Sequence, residues 1–410
     1  MQELQVNING LSLEEKQSRE KSLRLFNANG FPNKRQEDWK FTDLSKIIAD
    51  NFSRLKPVKL GNKHKDIEQI KDLKHNSIFL VDGFLKSFNF EFENLKNIKI
   101  KEYKNGLIKK NETSNSLINL NDALSIGGFF LEISSDYKLK KPLIVYNIFS
   151  DSLDEEIINN KNLIILQKNS NLEMIEYNIN ESKKKFIQNN YTEIEIGENS
   201  SFKNYTLQAC NSNGFFYKFI KGTLNKNSNY EDCIFSSGLK FNKIDEDIDI
   251  VGENANCTIL SALFLDKYSH QEIKTNLNHL QPNCKSYQKI KNVLSKNSKS
   301  IYQGKIFVKD IAQKTDAYQL SKALLLDDTS EFNAKPELEI YADDVKCSHG
   351  STSGNINEDS IYYLMTRGIT RKKAISLLTK AFLLEITSTI ANIDIKKFIE
   401  KNLERQVYEY

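Results

Sequence analysis

Apolar and polar residues alternate with period two through much of the middle of the chain. "YTEIEIG" (191–197), "KNYTLQA" (203–209) and "EDIDIVG" (246–252) each read as strands with one face buried. Between such stretches a short pattern recurs: an apolar residue, two turn-forming residues, an asparagine, a small residue and a polar residue. It is centred on Asn169, Asn199, Asn227 and Asn254, with a weaker copy at Asn297, so the spacings are 30, 28, 27 and 43 residues. Asparagine tolerates the left-handed conformation of a sharp corner and can cap its own turn. Strand, corner and strand at such a period predict a β-solenoid, whose rungs bury their faces only by stacking. The scarcity of proline in this region, with Pro142, Pro282 and Pro336 as the exceptions, leaves the ladders unbroken.

The flanks change period. Ser12-Leu-Glu-Glu15 is a capping box that opens a helix, which Gly30 and Pro32 end. Near the other terminus Asn357 caps a helix running to Gly368 and Thr370 caps the next, with a third through "DIKKFIEKNLERQV". The expected fold is mainly β. A mixed N-terminal region (1–125) leads into a solenoid body (126–345), and helices follow (346–410).

Composition narrows the function. The 410 residues suit two or three domains. A net charge of +4, with lysines dispersed among acids, argues against a nucleic-acid partner. No apolar run approaches the roughly 20 residues that cross a bilayer, and "MQELQVNINGLSLEEKQ" lacks a secretory layout. A cytoplasmic protein is therefore expected. Five cysteines without a CxxC make neither a disulfide framework nor a zinc ribbon. Cys210, Cys233, Cys257 and Cys284, spaced 23, 24 and 27 apart, are either an internal ladder or a chance spacing of buried thiols, and no chemistry is assigned to them. Neither a GxxxxGK[ST] loop nor a GxGxxG turn occurs, so no bound ATP is expected.

The densest chemistry is "DDVKCSHGST" (343–352). Cys347 and His349 are two apart and share one side of an extended strand. A thiolate and an imidazole are half of a zinc, iron or iron–sulfur site. The bland alternatives are a histidine satisfied by Asp343, Asp344 or a carbonyl, and an inert buried thiol. Glu385, four after Ala381 and seven after Leu378, falls on the apolar stripe of its helix, where a carboxylate needs a partner or a metal. The polar run "AQKTDAYQ" (312–319) reads as pairing at the solenoid's end, and Trp39 reads as a packing anchor.

"AQKTDAYQLSKALLLDD", "KPELEIYADDVKCSHGSTSG" and "YYLMTRGITRKKA" resemble the C-terminal half of the SufB/SufD family of iron–sulfur cluster assembly proteins. "RQEDWKFTDL" (35–44) resembles the family's N-terminal R-x-E-x-W-[KR]-[YF]-T signature. The resemblance implies a right-handed parallel β-helix with helical ends. It also implies a non-enzymatic scaffold that pairs with a SufB-like paralogue and docks the SufC ATPase. A nascent iron–sulfur cluster would be held transiently at the SufB–SufD interface, with His349 and Cys347 as candidate iron or cluster groups. SufB-like members carry a functional glutamate near the position of Glu385. They also carry a cysteine where this chain has Leu364, whereas the Cys-Ser-His-Gly run is the SufD-like version, so the resemblance is closest to SufD. Arg367, Arg371, Lys372 and Lys373 border apolar helical surface and are candidates for SufC docking, with the rest of that surface expected to cover the solenoid's open end. A homodimer is left open for the chain alone, as is any part for reduced flavin. The rival readings are a SufB-like cluster carrier, a freestanding metal-dependent hydrolase built on Cys347 and His349, and a purely structural module.

Overall fold

The computed structural model describes residues 11–59, 69–104, 113–209 and 213–408, together with positions 4, 6 and 8. Cys210 and His64 lie outside the described residues. From Phe129–Ile133 to Lys346–Asn355, strands alternate between two ten-stranded sheets, giving a flattened solenoid of eight rungs. The first sheet ends at Glu331–Ile340 and the second at Lys346–Asn355. Successive rungs pair parallel and in register, as Asn204↔Asp232↔Ile259 shows. Inward positions are mostly Ile, Leu and Phe, and form one continuous core along the lumen.

The asparagine period marks one corner of the solenoid. Asn169, Asn199, Asn227 and Asn254 have φ of 58°, 57°, 55° and 60°, the left-handed region. Each side chain donates to the Asn Oδ1 one rung back, at 3.0, 2.9 and 3.2 Å, and Asn169 donates to Asp136 Oδ1 at 2.7 Å. The preceding residues alternate in charge, and Lys168 pairs with Glu198 at 3.1 Å. The expected fifth copy needs correcting. Asn297 (φ 60°) sits at the opposite corner, between Lys285–Leu294 and Lys299–Val308. The series continues instead through Asn283 (φ 61°) and Lys314 (φ 59°), whose backbone N–H groups bond to the following rung just as the others do. Any residue forced into a left-handed corner can resemble the motif, so the pattern alone does not tell one corner from the other.

The helices cover the outer faces. Helices α1 (Leu13–Asn29), α2 (Leu44–Asn51) and α3 (Ser116–Leu124) pack Phe26, Ile48 and Leu120, with Trp39 from the short turn Glu37–Trp39, against Ile157, Phe215, Tyr217 and Phe241 of the first sheet. The capping box forms as read: Ser12 Oγ accepts from the Glu15 N–H, and Glu15 Oε2 accepts from the Ser12 N–H at 2.9 Å. Trp39 is buried, with the Lys243 ammonium 4.7 Å from its ring centre. Beneath it Lys243 is paired with Glu272 and with Asp245 (3.0 Å), and Thr42 donates to Glu272.

At the other end α4 (Glu358–Thr366), α5 (Arg371–Leu384) and α6 (Ile393–Tyr408) have the caps expected at Asn357 and Thr370. These helices do not cover the solenoid's open end. Leu383, Ile390, Ile395, Phe398 and Leu403 lie on the outer face of the second sheet, against Tyr146, Tyr205, Phe235, Leu260 and Phe264. That face carries its own apolar stripe, and burying it takes up the helices' apolar side. Among the described residues no helix is long and apolar enough to cross a membrane.

The two ends of the solenoid differ. At the first, Phe84–Asn89 and Ile98–Glu102 pair antiparallel with the sheets and finish them. At the last, Glu331–Ile340 and Lys346–Asn355 are edge strands, and most of their residues are exposed or half-buried.

Candidate functional site

The strand Lys346–Asn355 carries Cys347 and His349 on this open end. It is polar and rich in Gly and Ser, and its pairing with Asp316–Leu325 holds it extended, with Cys347 opposite Ala317 and His349 opposite Gln319. Ala317 and Gln319 are buried inward positions, so Cys347 and His349 project to the lumen side of the last rung, where no further rung covers them. Cys347 is half-buried against Ile306, Val308 and Ala312, and burial pushes its thiol up. His349 is exposed, and among the described residues neither Asp343, Asp344 nor any carbonyl holds its ring.

A polar network lies directly beneath. The Tyr302 hydroxyl is 3.0 Å from both Gln288 Oε1 and Gln319 Oε1, Thr275 Oγ1 donates to Gln288 Oε1 at 2.5 Å, and Gln319 Nε2 donates to the Glu337 carbonyl at 3.4 Å. Gly304 makes this possible, because a Cβ there would collide with the Gln319 amide and the Tyr302 hydroxyl. Sequence reading missed Thr275, Gln288, Tyr302 and Gly304. The one signal was a glycine inside an apolar strand, "IYQGKIF". "AQKTDAYQ" is structural, as read: Thr315 Oγ1 caps the Ala312 carbonyl at 2.8 Å, and Gln319 belongs to the network.

Glu385 does not join them. It ends α5 and bridges Lys289 and Lys291, which also donates to the Phe382 carbonyl at 2.9 Å. These bonds hold its carboxyl down at about 2. Lys289 and Lys291 point outward from a strand whose inward side chains include Gln288 and Ile290, so the sheet separates Glu385 from His349. The carboxylate that its place on the apolar stripe required to have a partner or a metal is 51% exposed and paired with two lysines.

Among the cationic candidates, Arg371 grips Glu358 with two 2.7 Å bonds and ties α5 to α4. Arg367 stacks on Tyr363, 5.0 Å from its ring centre. Lys372 and Lys373 are exposed, close in sequence to the exposed Tyr362, Tyr363 and Met365. The cysteines do not form one ladder: Cys233 faces outward under the C-terminal helices, whereas Cys257 and Cys284 face the lumen. Burial pushes all three thiols up, so they behave as small apolar groups.

Among the described residues no three His, Cys, Asp or Glu converge in a way that could hold a metal. Cys347 and His349 are two donors at an uncovered edge, so the rest of any site must come from outside the described chain.

Comparison with known proteins agrees with this architecture. The SufBD core domain of the SUF system for FeS cluster assembly matches residues 148–382, and the SufBD protein N-terminal region matches residues 10–97. The chain belongs to the SufBD family. An iron–sulfur cluster assembly SufBD family protein of Synechocystis is 26% identical over 393 residues, covering 90% of this chain and 84% of the relative. The iron–sulfur cluster assembly protein SufD of Escherichia coli is 24% identical over 372 residues, covering 90% and 87%. Protein ABCI7, chloroplastic, of Arabidopsis thaliana is 23% identical over 402 residues, covering 92% and 83%. As a SufBD family protein the chain works in iron–sulfur cluster assembly. The core match runs from the first rungs into α5, and so includes the open end and its histidine.

Proposed function

We propose that this chain is the SufD-like scaffold subunit of a cluster-assembly complex, and that its open end pairs with a SufB-like paralogue. The observation that carries the reading is the pair of uncovered parallel edges, Glu331–Ile340 and Lys346–Asn355, with His349 and Cys347 on the lumen side of the second. Unpaired strand edges are a template for another chain, and two donors fit a site completed across an interface. The nascent cluster is cargo there. His349, whose ring has no partner among the described residues, binds iron or moves a proton. Cys347 ligates only on losing the proton that burial favours, which metal binding drives. Glu385, held by two lysines, keeps α5 on the sheet and is no part of this site.

The hairpin of α4 and α5 is the docking point for a SufC-like ATPase. Tyr362, Tyr363 and Met365 supply apolar surface, and Lys372 and Lys373 supply charge. Having no phosphate loop, this chain transmits movement and leaves ATP to its partner. It acts as a scaffold and not as a catalyst, and works among soluble cytoplasmic partners.

Co-expression with SufB-like and SufC-like proteins, followed by iron and sulfide analysis, tests the whole reading. Iron and sulfide are expected in the complex and not in the chain alone. Stoichiometric metal in the isolated chain would favour the freestanding enzyme instead.

A further inference from the structure

Charged side chains enter the lumen of the middle rungs beside apolar and neutral polar ones. Strand alternation puts Asn204, Asp232 and Glu246 inward beside Phe202, Ile234 and Ile248, and Glu176 and Lys218 join them. Lys218 Nζ holds both Glu176 oxygens, at 2.6 and 2.7 Å, so that pair is neutral by itself. Asn204 Nδ2 donates to Asp232 Oδ1 at 3.0 Å and to Glu176 Oε1 at 3.3 Å. Asp232 and Glu246 lie deeper, 0% and 1% exposed, and each bears on the other's protonation. Among the described residues no donor reaches Asp232 Oδ2 or either oxygen of Glu246. The other groups facing the pair are the hydroxyls of Tyr230 and Tyr302, the Cys257 thiol and, opposite Glu246 in register, Thr275. None of these is a cation.

Two ionised carboxylates are acceptors only, and bond to each other only when one keeps a proton. With Lys218 matched by Glu176, two further negative charges in this buried lumen would be uncompensated. We propose that Asp232 and Glu246 hold one proton between them at neutral pH, and that this buried acid pair is a pH-sensitive latch on the middle rungs of the solenoid. Burial acts in that direction on both groups and outweighs the nearby Lys218 ammonium, which favours their charged forms, raising Asp232 to about 7 and Glu246 well above its ordinary value. The two titrate as a unit. An acid that keeps its proton longer when folded contributes stability fully present below its ordinary value of 3.8, and lost as pH rises through about 7. Glu176 and Lys218 keep 14% and 8% side-chain exposure, which gives the proton a polar route out.

Infrared spectroscopy of the full chain at neutral pH tests the shared proton directly. A protonated-carboxyl C=O stretch is expected in the native chain, lost in Glu246→Gln and in Asp232→Asn. Its absence from the native chain overturns the proposal even if neither variant folds. Thermal unfolding followed from well below to well above pH 7 tests the latch. The midpoint of the native chain should fall across that window, and that of Glu246→Gln should fall less. Equal falls in the native chain and both variants, or a stoichiometric cation that Asp232→Asn releases, would overturn it.

Discussion

Asn254 donates its side-chain amide to Asn227 Oδ1 across 3.2 Å, so residues 27 apart in sequence occupy the same corner of adjacent rungs. Asn227 in turn donates to Asn199 at 2.9 Å, with its own φ at 55°. Asn227→Ala removes both amide bonds and leaves a β-carbon in a left-handed corner. It should cost about 1–2 kcal/mol, measured by urea unfolding, and Asn227→Gly should cost less than Asn227→Ala. A larger loss for glycine would show that left-handed strain at the β-carbon does not govern the corner.

His349→Ala should leave the fold unchanged, because the ring has no partner among the described residues and projects from the last rung. In the complex with a SufB-like partner it should lower iron and sulfide yield. Circular dichroism and metal analysis of the same preparation check both halves, and an undiminished yield would remove His349 from the mechanism.

The basic rim divides into two parts. Lys372→Glu with Lys373→Glu should weaken SufC binding with the helices intact, because neither side chain has an ion-pair partner among the described residues. Arg371→Glu breaks the bidentate bond to Glu358, so it should also loosen α4 from α5. Pull-down with a SufC-like protein, read beside circular dichroism, separates the two effects. Parental binding by the folded lysine double variant would place docking elsewhere.

Lys243 and Glu272 are fully buried under Trp39 and join the N-terminal helices to the first sheet. Glu272→Ala leaves the ammonium with Asp245 and the Asp38 carbonyl, and takes an acceptor from Thr42 and from Gln303. Removing one partner of a buried pair costs roughly 3–5 kcal/mol. Limited proteolysis should then cut the N-terminal segment first, and an unaltered cleavage pattern would show that apolar packing suffices.

Glu385 should contribute to acid stability. Its carboxyl is held at about 2 against an ordinary 4.5, so the contribution is fully present above 4.5 and lost as pH falls through about 2. Solvent screening at this half-exposed site keeps the effect modest. Glu385→Gln should flatten the acid side of the unfolding profile without changing cluster yield, and a fall in yield would return Glu385 to the site.

The sequence by itself determined the local choices. Period-two alternation gave the strands, asparagines in left-handed corners gave the rung length, and Ser12, Asn357 and Thr370 gave the helix starts, since each depends on a residue and its near neighbours. It also showed Cys347 and His349 on one side of a strand, because i and i+2 share a face wherever that strand lies. Only the tertiary structure decided what depends on distant segments meeting. It assigned Asn297 to the opposite corner and Asn283 to the series, since both corners impose the same backbone conformation. It placed the C-terminal helices on the second sheet, because an apolar helix face does not name the surface that will bury it. It put a sheet between Glu385 and His349 and gave Glu385 two lysines from about 95 residues away. It joined Thr275, Gln288, Tyr302 and Gln319 beneath the open end, and Asp232 and Glu246 within the lumen, through stacking that no local pattern encodes.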